Sequence, residues 1–219
     1  MIRDLDATIR QLLTTGATAG SSLAHAAISF DLPDADWRAA LTGLTVNCYL
    51  YDVREDLEMR TNEMLMSRSA NGQLAARVAP PVRVDCAYCI TAWSTATTDA
   101  VLEEHDLLSQ VLVVLLRNQT IPPGMLQGAL ASQIPPYPTV IASQDGVVKQ
   151  HPEFWTALDQ KLKPSLNYIV TLAMLLDAIP AGVQTPYASV VVTTGQQDSP
   201  TPTVSEPPAN GTVFTVTEK

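Results

Sequence analysis

Cys86 and Cys89 stand at CxxC spacing, the interval used in thiol–disulfide exchange and in one half of a zinc site, and Cys48 is the one other cysteine. Either chemistry needs a turn or helix that brings the sulfurs together. Here the pair lies in VRVDCAYCITAW, which alternates with the period of a strand. Along a strand, three residues separate the Cα atoms by roughly 10 Å and aim the side chains at opposite faces, past the roughly 7 Å limit for a disulfide. Packing is the reading that the spacing favours. Glu103, Glu104 and His105 set carboxylates beside an imidazole, but adjacent helix positions point about 100° apart, which suits helix capping better than chelation. His25 and His151 have no acidic or thiol neighbour at ligand spacing and read as surface or interface groups. None of the motifs GxSxG, HExxH, GxxxxGK[ST] or GxGxxG occurs. The sequence assigns no catalytic, cofactor-binding or metal-binding residue.

The elements around these residues follow from periodicity. Ile2, Leu5, Ile9, Leu12 and Leu13 share one helical stripe that stops at Gly16 and Gly20. A short strand is expected over Ala26 to Phe30, and Pro33 with its acidic neighbours predicts a turn into a brief helix around Trp37. A strand begins near Thr45, with Val46, Cys48 and Leu50 on one face and Tyr49, Tyr51 and Val53 on the other; two apolar faces suit a central place in a sheet. Its polar end, Asp52 to Glu58, is expected to leave the core. Ser67 to Ala79, with Asn71-Gly72, reads as a hairpin tip or loop that ends at Pro80-Pro81. The next strand puts Val84, Cys86, Tyr88, Ile90 and Ala92 on one face. Thr98 or Asp99 then caps the longest helix, docked through Leu108, Val111, Leu112 and Leu115 and ended by Asn118 and Pro122-Pro123-Gly124. A short helix over Met125 to Ser132, an edge strand over Tyr137 to Ser143, a helix begun by Pro152 and a last strand over Leu166 to Leu176 complete the series. The fold class is therefore α/β (α+β), a mixed β-sheet flanked by helices.

Beyond Pro180, the strand-prone YASVVVTTG and GTVFTVT are separated by a Pro, Ser and Thr-rich spacer. Residues 1–178 are thus expected to form one domain and 179–219 an extended C-terminal arm, either a strand donor or a disordered tail. The 219 residues suffice for a core without disulfides, and three reduced cysteines inside strand patterns suit a cytoplasmic protein. Asp4 and Asp6 interrupt the start, so no secretory signal is expected. Ile169 to Leu176 is far shorter than the roughly 20 residues of a membrane-spanning helix. A net charge of −9 and a pI near 4.6 argue against nucleic acid, and no basic amphipathic face points to direct membrane binding. Charged residues make up 16% of the chain, against about 25% in average domains, which points to apolar surface kept for subunit contacts.

Five segments carry a further signal in their order: IRDLDATIRQLL, TVNCYLYDVREDLEMR (Thr45 to Arg60), PPVRVDCAYCITAW (Pro80 to Trp93), EEHDLLSQVLVVLLR (Glu103 to Arg117) and WTALDQKLKPSLNYIVTLAM. Together they resemble the cap, or tail-terminator, family of phage-tail-like contractile injection systems, over roughly residues 1 to 178. The resemblance implies a structural protein, not an enzyme and without a cofactor. It would end polymerisation of the inner tube and sheath at the end distant from the baseplate, as a homo-hexameric ring in contact with the sheath protein and the inner tube protein. Assembly would occur in the cytoplasm, in a particle released or retained. The best-matching stretch runs from Tyr49 to Glu55, and Tyr51, Arg54, Glu55 and Arg60 are the candidate subunit contacts; those charges read equally as a solvated strand end. Met59, Met64 and Met66 are either adaptable partner surface or ordinary packing. The competing classes are a soluble thiol or zinc-binding protein using Cys48, Cys86 and Cys89, and an adaptor that fixes a particle to a cell structure.

Overall fold

A computed structural model describes residues 1–63, 65–68, 75–132, 136–143 and 151–175. The chain runs through α1 (Ile2–Gly16), α2 (Ser22–His25), β1 (Ala27–Ser29), α3 (Ala35–Ala39), β2 (Thr45–Glu55), β3 (Leu65–Arg68), β4 (Ala75–Val78), β5 (Val82–Trp93), α4 (Ala100–Arg117), β6 (Thr139–Ile141), α5 (His151–Ala157) and β7 (Leu166–Met174). Five strands form one mixed sheet in the order β1-β2-β5-β7-β6. Only β1 and β2 pair in parallel, bridged by the crossover through α3; the other neighbours are antiparallel. The contacts divide the chain into two units, this sheet with its helices and a second unit whose described part holds the β3–β4 hairpin. Ser67 to Ala79, read from sequence as a tip or loop, thus includes part of β3 and all of β4, while Asn71-Gly72, Met64 and the arm at 179–219 lie outside the described residues.

The even-numbered residues of β5, from Val84 to Ala92, face the main core, as alternation predicts. They meet Val46 and Cys48 of β2, Tyr168, Val170 and Leu172 of β7, and a helical layer made by α1 and α4. Leu5, Ile9, Leu12 and Leu13 supply the α1 stripe; Ile2, expected to join it, is exposed. On α4 the buried positions are Leu107, Val111, Val114 and Leu115, with the expected Leu108 and Leu112 only half-buried. Leu and Val surround most of this helix, so composition leaves the phase of its buried face open and the contact with α1 decides it. Asp99 does start α4, but with φ +56° and no side-chain cap bond; its carbonyl accepts from Glu103 N instead. The segment Met125 to Ser132 forms two 3₁₀ turns, Pro123–Met125 and Gly128–Ser132, in place of one helix.

Alternation breaks once, in β2. The register pairs Leu50 with Tyr88 but Asp52 with Ala87, so Tyr51 is an extra residue, a β-bulge. Past it the strand is inverted relative to the sequence expectation. Val53, expected beside Tyr49 and Tyr51, pairs with Cys86 and turns to the main-core face, and β2 continues in the ladder as far as Glu55. The opposite face of the sheet carries a smaller aromatic layer in which Cys89, Trp93 and Trp155 are buried and Trp37, Leu41, Tyr51, Phe154 and Leu158 pack around them.

Two close approaches tie the helical layer down. A Cβ added to Gly16 would stand 2.4 Å from Cγ1 of Val114, which is itself buried, so α1 and α4 touch where α1 lacks a side chain. Gly16→Ala is expected to lower stability by about 1–3 kcal/mol in chemical denaturation, because the added Cβ overlaps Val114 and the packing of α1 on α4 must shift to admit it. An unchanged midpoint would show that the two helices are not in contact here. Near the other end of α1, the fully buried Tyr88 donates its hydroxyl to Asp6 Oδ1 at 2.8 Å. Burial holds the Asp6 carboxyl above its usual range, against the hydrogen bond from Tyr88 and the charge of Arg10. A carboxyl whose folded pKa is raised costs nothing below its unfolded pKa and costs stability as pH rises through its folded pKa. Asp6→Asn keeps an acceptor for Tyr88, so its melting temperature should rise at pH 7 and stay unchanged at pH 3; a fall at pH 7 would contradict this.

Candidate interaction surface

The strand that holds Cys86 and Cys89 sends them to opposite faces, Cys86 into the main core with Cys48 and Cys89 into the aromatic layer. All three are buried free thiols. Burial pushes Cys86 and Cys89 up to about 11 and raises Cys48 further, away from the thiolate that metal binding and exchange require. A sheet therefore stands between the two sulfurs of the CxxC pair, and they cannot share one ion. Among the described residues no three His, Cys, Asp or Glu side chains converge to hold a metal. His25 and His105 are exposed. Glu103 and Glu104 are occupied elsewhere. Ser94 Oγ donates to Glu103 at 2.6 Å and Ser94 N to Glu104 at 3.1 Å, so the start of α4 is clamped to the end of β5. The second oxygen of Glu104 binds Lys163 Nζ, which lies over the Trp93 ring, 4.5 Å from its centroid.

The four candidate contacts occupy one stretch, but each has a partner within the chain. Tyr51, the bulge residue, donates its hydroxyl to Asn167 Oδ1 at 3.3 Å and packs edge-on against Phe154, ring centroids 5.9 Å apart. Arg54 pairs with Asp52. Arg60 grips Glu55 with two nitrogens, Nε at 2.8 Å and Nη2 at 2.6 Å, which lowers the Glu55 pKa. Glu55 and Arg60 thus form a fork across a turn. Within the turn, Asp56 Oδ1 accepts from the backbone N–H of Glu58 at 2.9 Å and of Met59 at 3.1 Å, and Asp56 N donates to Arg83 O at 2.9 Å. Composition did not reveal what this turn holds outward. Val53, Leu57 and Met59 are 45%, 65% and 47% exposed.

A second surface feature lies on the helical layer. Gly16, Ala17, Ser21 and Leu23 face Gln110, Val113, Val114 and Arg117 across a groove of about 200 Å³ between α1, α2 and α4. Its walls are fixed by Leu23 N donating to Gln110 Oε1 at 2.9 Å and Ser22 Oγ to Asp106 Oδ2 at 2.7 Å. No periodicity in the sequence signals this groove, since Leu23 and Gln110 are 87 residues apart.

A mixed five-stranded sheet with helices on one face and a thin aromatic layer on the other is the frame on which these surfaces sit. The family model described as the Pvc16 N-terminal domain matches residues 4–189. The chain belongs to that family. This is the tail-terminator resemblance carried by the five sequence segments. Two solved structures are similar to the chain in fold. One is the sheath/tube terminator of an extracellular contractile injection system, PVC, in its extended state, 25% identical, with TM-score 0.60, covering 92% of this chain and 65% of that one. The other is the tube-terminating cap of the anti-feeding prophage, 24% identical with TM-score 0.60, covering 89% of this chain and 62% of that one. The chain thus spans somewhat less than two thirds of the length of either. No curated protein sequence matches it.

Proposed function

We propose that this chain is a structural cap that ends growth of the inner tube and sheath of a phage-tail-like contractile injection system, at the end distant from the baseplate. Its likeness to a sheath/tube terminator, joined to its Pvc16 N-terminal domain family membership, carries the reading. The physical need is simple. A stack of rings whose top and bottom faces are complementary continues to grow, because heterologous contacts along its axis never close. A protein that fits the last ring below and offers no matching face above stops it. Such a role depends on fit and not on turnover, and we assign no enzymatic step.

The ring is a homo-hexamer, assembled in the cytoplasm with the sheath and inner tube proteins as its partners. Tyr51, Arg54, Glu55 and Arg60 form or support its subunit contacts. Residues 1–178 are the docking domain, and 179–219 act as an arm that donates a strand to a neighbouring sheet. Truncation after Gly182 tests the arm: particles capped as before would remove that role. The buried thiols on two faces of one sheet leave a zinc-binding or redox reading without a site. Among the described residues no helix is long and apolar enough to cross a membrane.

Electron microscopy of particles made without this chain tests the main reading. Tube or sheath lengths should become irregular, or extended particles should fail to persist. Particles of normal length and yield would overturn the cap role.

A further inference from the structure

Two apolar side chains, Leu57 and Met59, stand out of the Asp56–Arg60 turn beside Val53, which is exposed near the end of β2, and hydrogen bonds brace the turn. The Glu55–Arg60 fork closes its base, Asp56 bonds two of its backbone N–H groups, and a bond to Arg83 O ties it to β5. A backbone held in place before binding loses little entropy on docking, so Leu57 and Met59 project as a knob from a pre-organised turn. Glu58, exposed beside them, makes the knob acidic. The groove of about 200 Å³ between α1, α2 and α4 has the opposite character at its rim. An apolar cavity of about 150 Å³ admits a benzene ring, so this groove has room for an aliphatic side chain. Leu23, Val113 and Val114 supply apolar wall, and Arg117 at the end of α4 makes no ion pair among the described residues.

We propose that the Val53–Met59 segment of one copy, the end of β2 with the turn after it, seats in the α1–α2–α4 groove of the next copy, Leu57 against Val113 and Glu58 toward Arg117. This rests on the ring reading above and says which surfaces close the ring. Knob and groove are different parts of the chain, so the contact is heterologous, the type that builds a cyclic ring rather than a two-fold dimer. It also reassigns the candidate contacts. Glu55 and Arg60 are positioning residues that hold the turn, and Val53, Leu57 and Met59 bury apolar area against the partner. Charge complementarity sets the register of the contact, while the apolar knob supplies most of its affinity.

Paired variants of the full chain test this by native mass spectrometry and sedimentation. Leu57→Asp and Val113→Asp, both at exposed sites, should each weaken assembly by about tenfold to a hundredfold while circular dichroism and melting stay as in the wild type. Mixed together, the two variants retain one intact knob and one intact groove, so they should form a dimer and nothing larger. Glu58→Arg and Arg117→Glu should each weaken assembly, and the double reversal should restore it. A wild-type ring undisturbed by Leu57→Asp and Val113→Asp overturns this contact and leaves the cap reading standing. A wild-type chain that stays monomeric beside its tube and sheath proteins overturns the cap reading and the contact with it.

Discussion

Trp155→Ala is expected to cost about 3–5 kcal/mol of stability. Trp155 heads the fully buried side chains and is 1% exposed. It lies in the aromatic layer with Cys89 and Trp93, and its ring meets Phe154 edge-on at 5.5 Å, an arrangement worth more than area alone. This layer is thin. The short helices α3 and α5 and their flanking residues supply its cover, so a cavity there has few neighbours that can collapse into it. The indole carries an opposing term, since Nε1 is buried without a hydrogen-bond partner among the described residues. An unsatisfied buried donor costs about 1–3 kcal/mol. Trp155→Phe therefore removes volume and a penalty together and should cost much less than Trp155→Ala. Urea titration followed by far-ultraviolet circular dichroism gives both values. A loss below about 1 kcal/mol for Trp155→Ala would mean that the aromatic layer unfolds separately from the sheet.

Glu104→Ala should cost about 3 kcal/mol at pH 7, because it removes one partner from a nearly buried pair and leaves the other charged. The side chains of Lys163 and Glu104 are only 15% and 16% exposed. Glu104 also accepts the Ser94 N–H, so its loss opens the clamp between β5 and α4 as well. Burial holds the Lys163 pKa below its ordinary 10.5, and the Glu104 hydrogen bond and charge push it back up. Without Glu104 it falls further. The sign of the pH dependence follows: between a lowered folded pKa and the unfolded value, the unfolded chain binds more protons, so stability rises with pH. The deficit of Glu104→Ala relative to wild type should therefore shrink as pH rises from 7 toward 10. Glu104→Ala combined with Lys163→Met should recover much of the loss at pH 7, since the methionine still lies on Trp93 and no charge is stranded. A deficit independent of pH, with no recovery in the double variant, would assign the effect to Ser94 alone.

How much of this was legible in the sequence can be read from particular residues. The alternation from Val84 to Ala92 states which side chains enter the core, and β5 obeys it to its end. The separation of Cys86 from Cys89 follows from that same alternation. The edge position of β6 was legible from its flanking prolines. Three things were not. Leu50, Tyr51 and Val53 are apolar whichever face they take, so nothing local marks Tyr51 as the extra residue that turns Val53 over. The buried phase of α4 depends on where Gly16 lets α1 approach Val114, a contact about a hundred residues long in sequence. The family resemblance placed the candidate contacts at Tyr51, Arg54, Glu55 and Arg60, and residue types there read equally as a solvated strand end. The Glu55–Arg60 fork and the exposure of Leu57 and Met59 depend on a turn that residue types alone do not mark. The groove needed two distant helices side by side, which composition does not encode.

The extra residue in β2 also sets which changes of length the strand can survive. Loss of one residue anywhere between Thr45 and Leu50 would turn half of the strand inside out. Loss of Tyr51 itself would leave Leu50 and Val53 on the sides that they now occupy, at the cost of one phenol against Phe154 and Asn167. Descendants of this chain can therefore drift in length at that point and keep the same outward relief beyond it.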